Sequence, residues 1–370
     1  MISNYSSTIY PWTSTVRKIF SLLSKPQAQV LALFSIGISW ARSCTLCKVA
    51  EKLSFMAGFI PTVERRLQRF LSNPAVDIPN VSVDLARWVL NGLFAQPRLL
   101  RRKYLILLVD EVPLGQHLKV MCVAVAYRHR AIPLAWWCYR PDQYPLPQVE
   151  LINRLLDQVA PALPPKAKVL VQADRGLGCS PDLLALIVQR GWYFLVRVQK
   201  DVQLKLPDGR QVSFGDMVPK PGRRLWNQEL MIFKKAGWFS YRALGYWKIG
   251  SKEPWLLVTN CPDVAVEDYR IRMWQEHAFR DLKSNGFGWD RSRVRKPDHA
   301  ERLWLALALA YAWAMKLGSE ALERPALWHR VAGADATRIS IFQVGVRLLN
   351  ELLEIIINPN HEIPVMQFCI

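Results

Sequence analysis

Three acidic residues in separate parts of the chain could together hold a metal ion. Asp110 closes the apolar run KYLILLVD, Asp174 closes the run AKVLVQAD, and Glu276 lies within YRIRMWQEHAFRDLK. The two apolar runs predict buried strands, and reactive side chains collect where the strands of an α/β sheet end. Either aspartate alone is more readily explained as an acid that caps a turn. Their settings differ, since Asp174 is followed by a glycine at position 176, which permits a tight turn.

The segment around Glu276 predicts a helix over Val266 to Ser284. At about 100° per residue, one face carries a carboxylate beside a phenol, a guanidinium and an ammonium, from Tyr269, Arg272, Glu276 and Lys283. The opposite side carries Ile271, Trp274, Ala278 and Leu282 and should pack into the protein. Mixed charge along one stripe fits a solvated face and equally fits a site that holds a metal and phosphates, so both interpretations stay open.

Two divalent ions could support cleavage of a phosphodiester bond at such a site. The ions activate an oxygen nucleophile and stabilise the leaving oxygen. Mg²⁺ prefers carboxylate and water ligands, so Asp110, Asp174 and Glu276 form a chemically adequate set. Neither cysteine nor histidine ligands are required.

The composition favours a polyanionic partner. The 370 residues carry a formal net charge of +19, and a field of that sign attracts nucleic acid first and anionic membrane second. The longest apolar stretches, Val30 to Trp40 and Leu303 to Met315, are shorter than the roughly 20 residues of a membrane span. Without a recognisable secretion signal, the seven cysteines predict reduced thiols in a cytoplasmic protein, and the CxxC pair Cys44 and Cys47 predicts buried thiols.

The first hundred residues predict a helical DNA-binding domain. A helix that follows Thr62 as N-cap, VERRLQRFL, directs Val63, Leu67, Phe70 and Leu71 towards a core. It leaves Arg65, Arg66 and Arg69 for solvent or phosphate. A helix-turn-helix reader and a plain helical bundle with a charged outer face explain this pattern equally well.

The rest of the chain predicts an α/β domain with an insertion. Three strands in a row are predicted to be antiparallel neighbours because their connections are short. Alternating helices and strands complete the domain over 101–198 and 254–320, which indicates a mixed sheet with flanking helices. Residues 199–253 interrupt this domain as a small β-rich insertion. Residues 321–370 form a C-terminal helical segment that either supports a dimer or packs onto its own domain.

The order and spacing of these residues resemble a known family. Tyr269, Arg272, Glu276 and Lys283 match the Y-R-E-K signature of the insertion-sequence-4 family of bacterial DDE transposases. LLVDEVPLG and VQADRGLG are similar to its two aspartate segments. The resemblance covers about residues 100 to 320 and is weaker over the N-terminal helices.

The resemblance implies a ribonuclease-H-like catalytic domain that binds two Mg²⁺ or Mn²⁺ ions. It also implies cleavage at transposon ends, a hairpin intermediate, joining to target double-stranded DNA, and a homodimer in the synaptic complex on the bacterial nucleoid. Tyr269, Arg272 and Lys283 would hold phosphates near the cut end. One tryptophan of Trp226, Trp238, Trp247 and Trp255 could stack on a flipped base, although each of them is more readily explained as a core residue. The alternatives are a ribonuclease-H-like nuclease that cuts without joining and a catalytically inactive, transposase-derived DNA-binding protein.

Overall fold

The computed structural model describes residues 6–94, 103–178, 180–222 and 226–357. Five helices come first: α1 (Ser6–Ile19), α2 (Lys25–Ala41), α3 (Leu46–Ala57), α4 (Ile60–Ser72) and α5 (Ile78–Phe94). Seven follow within and after the sheet: α6 (Gln148–Val159), α7 (Arg175–Gly178), α8 (Pro181–Gln189), α9 (Met273–Leu282), α10 (Pro297–Leu322), α11 (Pro325–Ala332) and α12 (Ile341–Ile357). The chain is therefore a mixed α/β protein with a helical N-terminal region, as its sequence predicts.

The first half of the sheet places both aspartates. It contains β1 (Leu105–Leu114), β2 (Leu118–Tyr127), β3 (Arg130–Tyr139), β4 (Val169–Ala173) and β5 (Tyr193–Arg197) in the order β3-β2-β1-β4-β5. The first three strands are antiparallel neighbours, as predicted, whereas β4 runs parallel to both β1 and β5. Parallel pairing brings the residues that follow Val109 on β1 and Ala173 on β4 to the same edge of the sheet, because both strands run in the same direction.

The β-rich insertion extends this sheet instead of forming a separate one. Its strands are β6 (Gln203–Lys205), β7 (Gln211–Ser213), β8 (Trp226–Ile232) and β9 (Phe239–Tyr246), and the chain returns through β10 (Trp255–Thr259). Because β10 pairs with β5 on one side and β9 on the other, the order continues as β5-β10-β9-β8-β6-β7. The β-rich character is confirmed, and the insertion is joined to the first half of the sheet by the backbone hydrogen bonds of β10.

Helix α10 forms the centre of the helical layer. Nearly all of its side chains from Leu303 to Met315 are buried, and it packs against β3, α2, α4 and α12. Gly318 and Gly345 let α10 and α12 approach closely, since a Cβ at Gly345 would meet the carbonyl oxygen of Ala314 at 1.8 Å. The described part of the C-terminal segment thus packs onto its own chain.

The basic helix of the N-terminal region begins earlier than predicted. Helix α4 starts at Ile60, with Phe59 rather than Thr62 before it, because Pro61 is favourable in a first turn. The predicted apolar positions are buried, and Arg65, Arg66 and Arg69 are exposed. The prediction of two buried thiols was wrong in part, since Cys44 is buried but Cys47 is exposed at the first turn of α3.

No single helix in the described ranges has both the length and the apolar character of a membrane span. Helices α2 and α3 pass that test only as a pair, and they are bent by 108° at their junction.

Candidate active site

Asp110 lies inside strand β1 and not at its end, which corrects the sequence prediction. The strand continues to Leu114 because it remains paired with β2, where Asp110 faces Cys122. What ends at this point is the parallel pairing with β4, whose last register pair is Val109 with Ala173. Asp110 and Asp174 are the next residues on the two chains, so the register places them side by side.

Asp174 caps the short helix that follows β4. Its Oδ1 accepts hydrogen bonds from the backbone N–H groups of Gly176 and Leu177 at 2.9 and 3.2 Å. A Cβ at Gly176 would lie 3.2 Å from the same oxygen, closer than most such contacts. The glycine therefore leaves room for the carboxylate, and the second oxygen, Oδ2, faces Arg272.

The segment that carries Glu276 is not one continuous helix, contrary to prediction. Residues Val266–Arg272 form a 3₁₀ helix, and α9 begins only at Met273. The tighter winding rotates the residues before Met273 relative to those after it. Ala278 and Leu282 are buried as expected, but the other buried residues of α9 are Gln275, Phe279 and Asp281. Ile271 and Trp274 are only half-buried.

A guanidinium bridges the three carboxylates. Arg272 donates from Nη1 to Asp110 Oδ2 at 3.2 Å and from Nη2 to Glu276 Oε1 at 3.0 Å. Its Nη2 also lies 4.0 Å from Asp174 Oδ2. The side chains of Arg272 and Asp110 are each 13% exposed, whereas those of Asp174 and Glu276 are about one-third exposed. Four predicted site residues from three separate segments thus meet at one sheet edge.

The cluster carries more negative than positive charge. Burial raises the pKa of Asp110 to about 6, against the attraction of Arg272 and with the repulsion of Asp174. Burial disfavours the charge on Arg272, yet attraction by Asp110 and its neighbours outweighs it, so the pKa of the guanidinium is raised. One cation does not balance three carboxylates, and a further cation would be stabilised here.

The chemistry of these ligands fits a hard divalent ion, but their arrangement holds an arginine. Carboxylate oxygens suit Mg²⁺ and Mn²⁺. In the described part of the chain, however, no three histidine, cysteine, aspartate or glutamate side chains are arranged to hold a metal ion. Arg272 occupies one oxygen of Asp110 and one of Glu276, so an ion bound to those two atoms would have to displace it.

Tyr269 and Lys283 donate hydrogen bonds to backbone carbonyl groups close to Asp174 and Asp110 in the chain. The Tyr269 hydroxyl donates to the carbonyl of Ala173 at 3.1 Å, and burial raises the pKa of this phenol. Lys283 follows α9 and donates from Nζ to the carbonyl of Pro113 at 2.7 Å, and burial lowers its pKa. Tyr269 is buried, so only Lys283 of this pair is within easy reach of a ligand.

Glu111 is separated from the site although it follows Asp110 directly. It pairs with Lys119 at 2.5 Å and accepts hydrogen bonds from Tyr139 and Tyr144. These contacts agree with the expectation that successive residues of a strand point to opposite faces.

Four residues that position the site were missed at the sequence level. Gln172 on β4 donates to the carbonyl of Asp268 at 2.9 Å, and Gln275 on α9 donates to the carbonyl of Cys122 at 3.3 Å. Arg130 on β3 pairs with Asp281 on α9 at 2.5 Å. A polar residue within an apolar run, as Gln172 is, was the one available signal, since a buried amide needs a partner.

A basic loop after Lys283 was also missed. Arg291, Arg293, Arg295 and Lys296 are exposed. The loop contacts the start of α3, where the Thr45 hydroxyl donates to the carbonyl of Arg291 at 3.2 Å. Its charge run was visible in the sequence. The predicted arginines of α4 lie on a different element, which packs against α2, α3 and α10.

A pocket of about 280 Å³ lies beside the connection between β9 and β10. It is lined by Tyr246, Lys248, Ser251, Glu253, Trp255 and Arg270. Trp255 also packs edge-on against Tyr269, with ring centroids 5.6 Å apart, so the pocket lies next to a residue of the predicted site. Of the four predicted tryptophans, Trp255 lines this pocket, whereas the side chain of Trp226 lies outside the described residues.

Part of the chain is similar to a known protein family. Residues 148–313 match the family model described as the transposase DDE domain. This match supports a DDE transposase. DDE transposases in general bind DNA, cut and rejoin phosphodiester bonds, and use divalent metal ions. The mixed sheet with flanking helices agrees with the ribonuclease-H-like fold of such a domain. The matched range includes Asp174 and Glu276 but not Asp110, and none of the curated proteins compared matches the chain.

Proposed function

We propose that this protein is a DNA transposase that cuts the ends of a mobile element and joins them to target DNA. In this proposal Asp110, Asp174 and Glu276 are the catalytic carboxylates. The observation that carries it is their convergence on Arg272 from β1, from the end of β4 and from α9. Three acids far apart in sequence have no structural need to share one cation at a sheet edge.

Two Mg²⁺ or Mn²⁺ ions would supply the activated oxygen and stabilise the leaving oxygen of an in-line displacement. The chain contributes the rest. The three carboxylates bind the ions, while Arg272 and Lys283 bind phosphate oxygens, as a planar fork and as a point charge. Tyr269 positions Asp174 by donating a hydrogen bond to the carbonyl of the preceding residue, Ala173. A phosphate contact by its phenol would require Tyr269 to turn out of the core.

The Y-R-E-K spacing favours the insertion-sequence-4 family and a cut-and-paste reaction through a hairpin. A hairpin requires sharp bending of DNA, which a flipped base relieves. The pocket beside Tyr269 offers two aromatic side chains, Tyr246 and Trp255, together with the cations Lys248 and Arg270. A base stacked on one of these rings would be stabilised by about 1–3 kcal/mol, so we assign the flipped base to this pocket.

We assign DNA contact outside the active site to two exposed basic groups. One is the arginine face of α4, formed by Arg65, Arg66 and Arg69, within an N-terminal DNA-binding domain of residues 1–100. The other is the loop with Arg291, Arg293, Arg295 and Lys296, which contacts α3 and follows Lys283. A homodimer that bridges two transposon ends would let each copy act on one end.

The test is a cleavage and joining assay on a labelled duplex of the element's own end, with Mg²⁺. Asp110→Asn, Asp174→Asn and Glu276→Gln should bind the duplex but neither nick it nor join it. Glu111→Gln is the matched control, since it neutralises the adjacent acid on the opposite face of the strand and should retain cleavage and joining.

Each outcome selects one function. Nicked, hairpin and joined products from the wild type would support the transposase. Cutting without joining would favour the ribonuclease-H-like nuclease. Binding without metal-dependent chemistry would indicate an inactive, transposase-derived DNA-binding protein.

A further inference from the structure

Arg272 donates to carboxylate oxygens that are also the available ligands for a metal ion at this cluster. Its Nη1 and Nη2 reach Oδ2 of Asp110 and Oε1 of Glu276 at hydrogen-bond distance. Charge-assisted bonds of this kind are roughly twice as strong as neutral ones. An ion that binds these oxygens must therefore compete with the guanidinium as well as with water.

The position of Arg272 allows it to turn away. It lies at the junction of the 3₁₀ helix and α9, where its backbone belongs to neither helix interior. Two hydrogen bonds to carboxylates hold its nitrogens, and both acceptors are side chains. When it leaves, a buried guanidinium requires a new anion, because an unpaired charge is costly there. A DNA phosphate is the anion that the proposed reaction brings to this edge.

We propose that Arg272 is the resident counter-ion of the three carboxylates, and that it hinders divalent metal binding until a DNA phosphate draws its guanidinium away. This inference rests on the proposed function. Each ligand then favours binding of the other, because the metal ion displaces the Arg272 side chain from the carboxylates and the DNA phosphate binds the displaced guanidinium. The protein would thereby avoid loading a reactive metal site before its DNA is in place.

The test measures Mn²⁺ binding by the full chain without DNA, from the electron paramagnetic resonance signal of the free ion. Arg272→Gln should bind Mn²⁺ more tightly than the wild type, by about five- to 150-fold, the usual range of coupling between sites. Arg272→Lys keeps the charge but loses the planar fork and should lie between them. Arg280→Gln is the matched control, because it removes an equal charge from an exposed position of α9 that pairs with none of the three carboxylates, and should leave the affinity unchanged.

A second measurement adds a duplex that already ends at the cleavage position, so that no bond remains to be cut. The duplex should tighten Mn²⁺ binding by the wild type and much less by Arg272→Gln. Equal Mn²⁺ affinity of wild type and Arg272→Gln would overturn the inference, as would an equal effect of the duplex on both.

The failure of the proposed function has a separate signature. Asp110→Asn should abolish Mn²⁺ binding in both backgrounds. If Mn²⁺ binding were the same with and without this substitution, the three-carboxylate metal site itself would be wrong, and the role of Arg272 would be lost with it.

Discussion

Arginines in two regions of this protein are used in opposite ways. Arg272 is largely buried and contacts three carboxylates from three segments. Arg65, Arg66 and Arg69 project from α4 into solvent, and the apolar face of that helix packs without them. The fold therefore pairs Arg272 with carboxylates inside the protein and leaves the α4 arginines exposed to solvent. The same substitution, arginine to glutamine, should accordingly affect different properties in the two places.

The largest effect is expected on catalysis at Arg272. Arg272→Gln should lower the cleavage rate by about 10²- to 10³-fold, the usual cost of removing one positioned donor to a reacting phosphate or oxyanion. Affinity for the duplex should change little, because the exposed cations to which we assign DNA contact are all retained. Single-turnover cleavage and gel-shift measurements on one preparation separate the two properties. A large loss of affinity for the duplex with an unchanged cleavage rate would mean that Arg272, like the α4 arginines, contributes only to DNA binding.

A comparable effect on stability is expected at Arg130, which braces the Glu276 helix. Its pair with Asp281 is 16% and 6% exposed. Arg130→Gln should lower the free energy of unfolding by about 3 kcal/mol, because it leaves a buried carboxylate without its cation.

Arg154→Gln is the matched control for Arg130→Gln. Arg154 pairs with Glu150 at 2.8 Å on the surface of α6, where both side chains are about half exposed. Its loss should cost less than about 1 kcal/mol. Urea unfolding of both variants measures the difference, and equal losses would show that burial of the Arg130 pair contributes nothing.

The next effect concerns a buried acid outside the site. Glu301 on α10 accepts a hydrogen bond from the backbone N–H of Cys138 at 3.0 Å, and burial raises its pKa to about 7. The folded state therefore keeps this proton longer than the unfolded state. As pH rises from about 4.5 to 7, the wild type should lose up to about 3 kcal/mol of stability that Glu301→Gln does not lose.

Unfolding of wild type and Glu301→Gln at a series of pH values tests that assignment. The difference in stability between them should shift in favour of the variant across this window and then stay constant. A parallel pair of curves would mean that Glu301 is ionised throughout. The result also bears on Asp110, whose pKa is raised by burial as well. A raised pKa at Glu301 would show that burial alone produces such a shift in this protein, outside the candidate active site.

The smallest effect is expected on the α4 face. Replacing Arg65, Arg66 and Arg69 together by glutamine should leave stability unchanged and weaken DNA binding by about tenfold at physiological salt. The slope of log K against log salt concentration should fall by about 2 to 3, since each lost phosphate contact removes about 0.9. Binding titrations between 50 and 200 mM salt give this slope. An unchanged slope would leave α4 as the charged outer face of a helical bundle.

Local patterns predicted many elements correctly. The apolar runs before Asp110 and Asp174 formed strands, and VERRLQRFL formed a helix whose buried and exposed residues were those expected. These succeed because alternation and helical periodicity reflect which face is buried. The same reasoning failed where neighbours intervene. It ended β1 at Asp110, although pairing with β2 carries the strand to Leu114, and it continued α9 back through a 3₁₀ segment.

By itself, the sequence determined the residue types, their order and the basic charge that favours DNA. It also gave the spacing from Tyr269 to Lys283, which is a property of the chain alone. Only the tertiary structure decided that Arg272 bridges the carboxylates, that Tyr269 is buried, and that Gln172 and Gln275 join β4 and α9 to their neighbours. The physical reason is that side chains meet through the strand register and the junction of two helices, and no periodicity along the chain encodes either one.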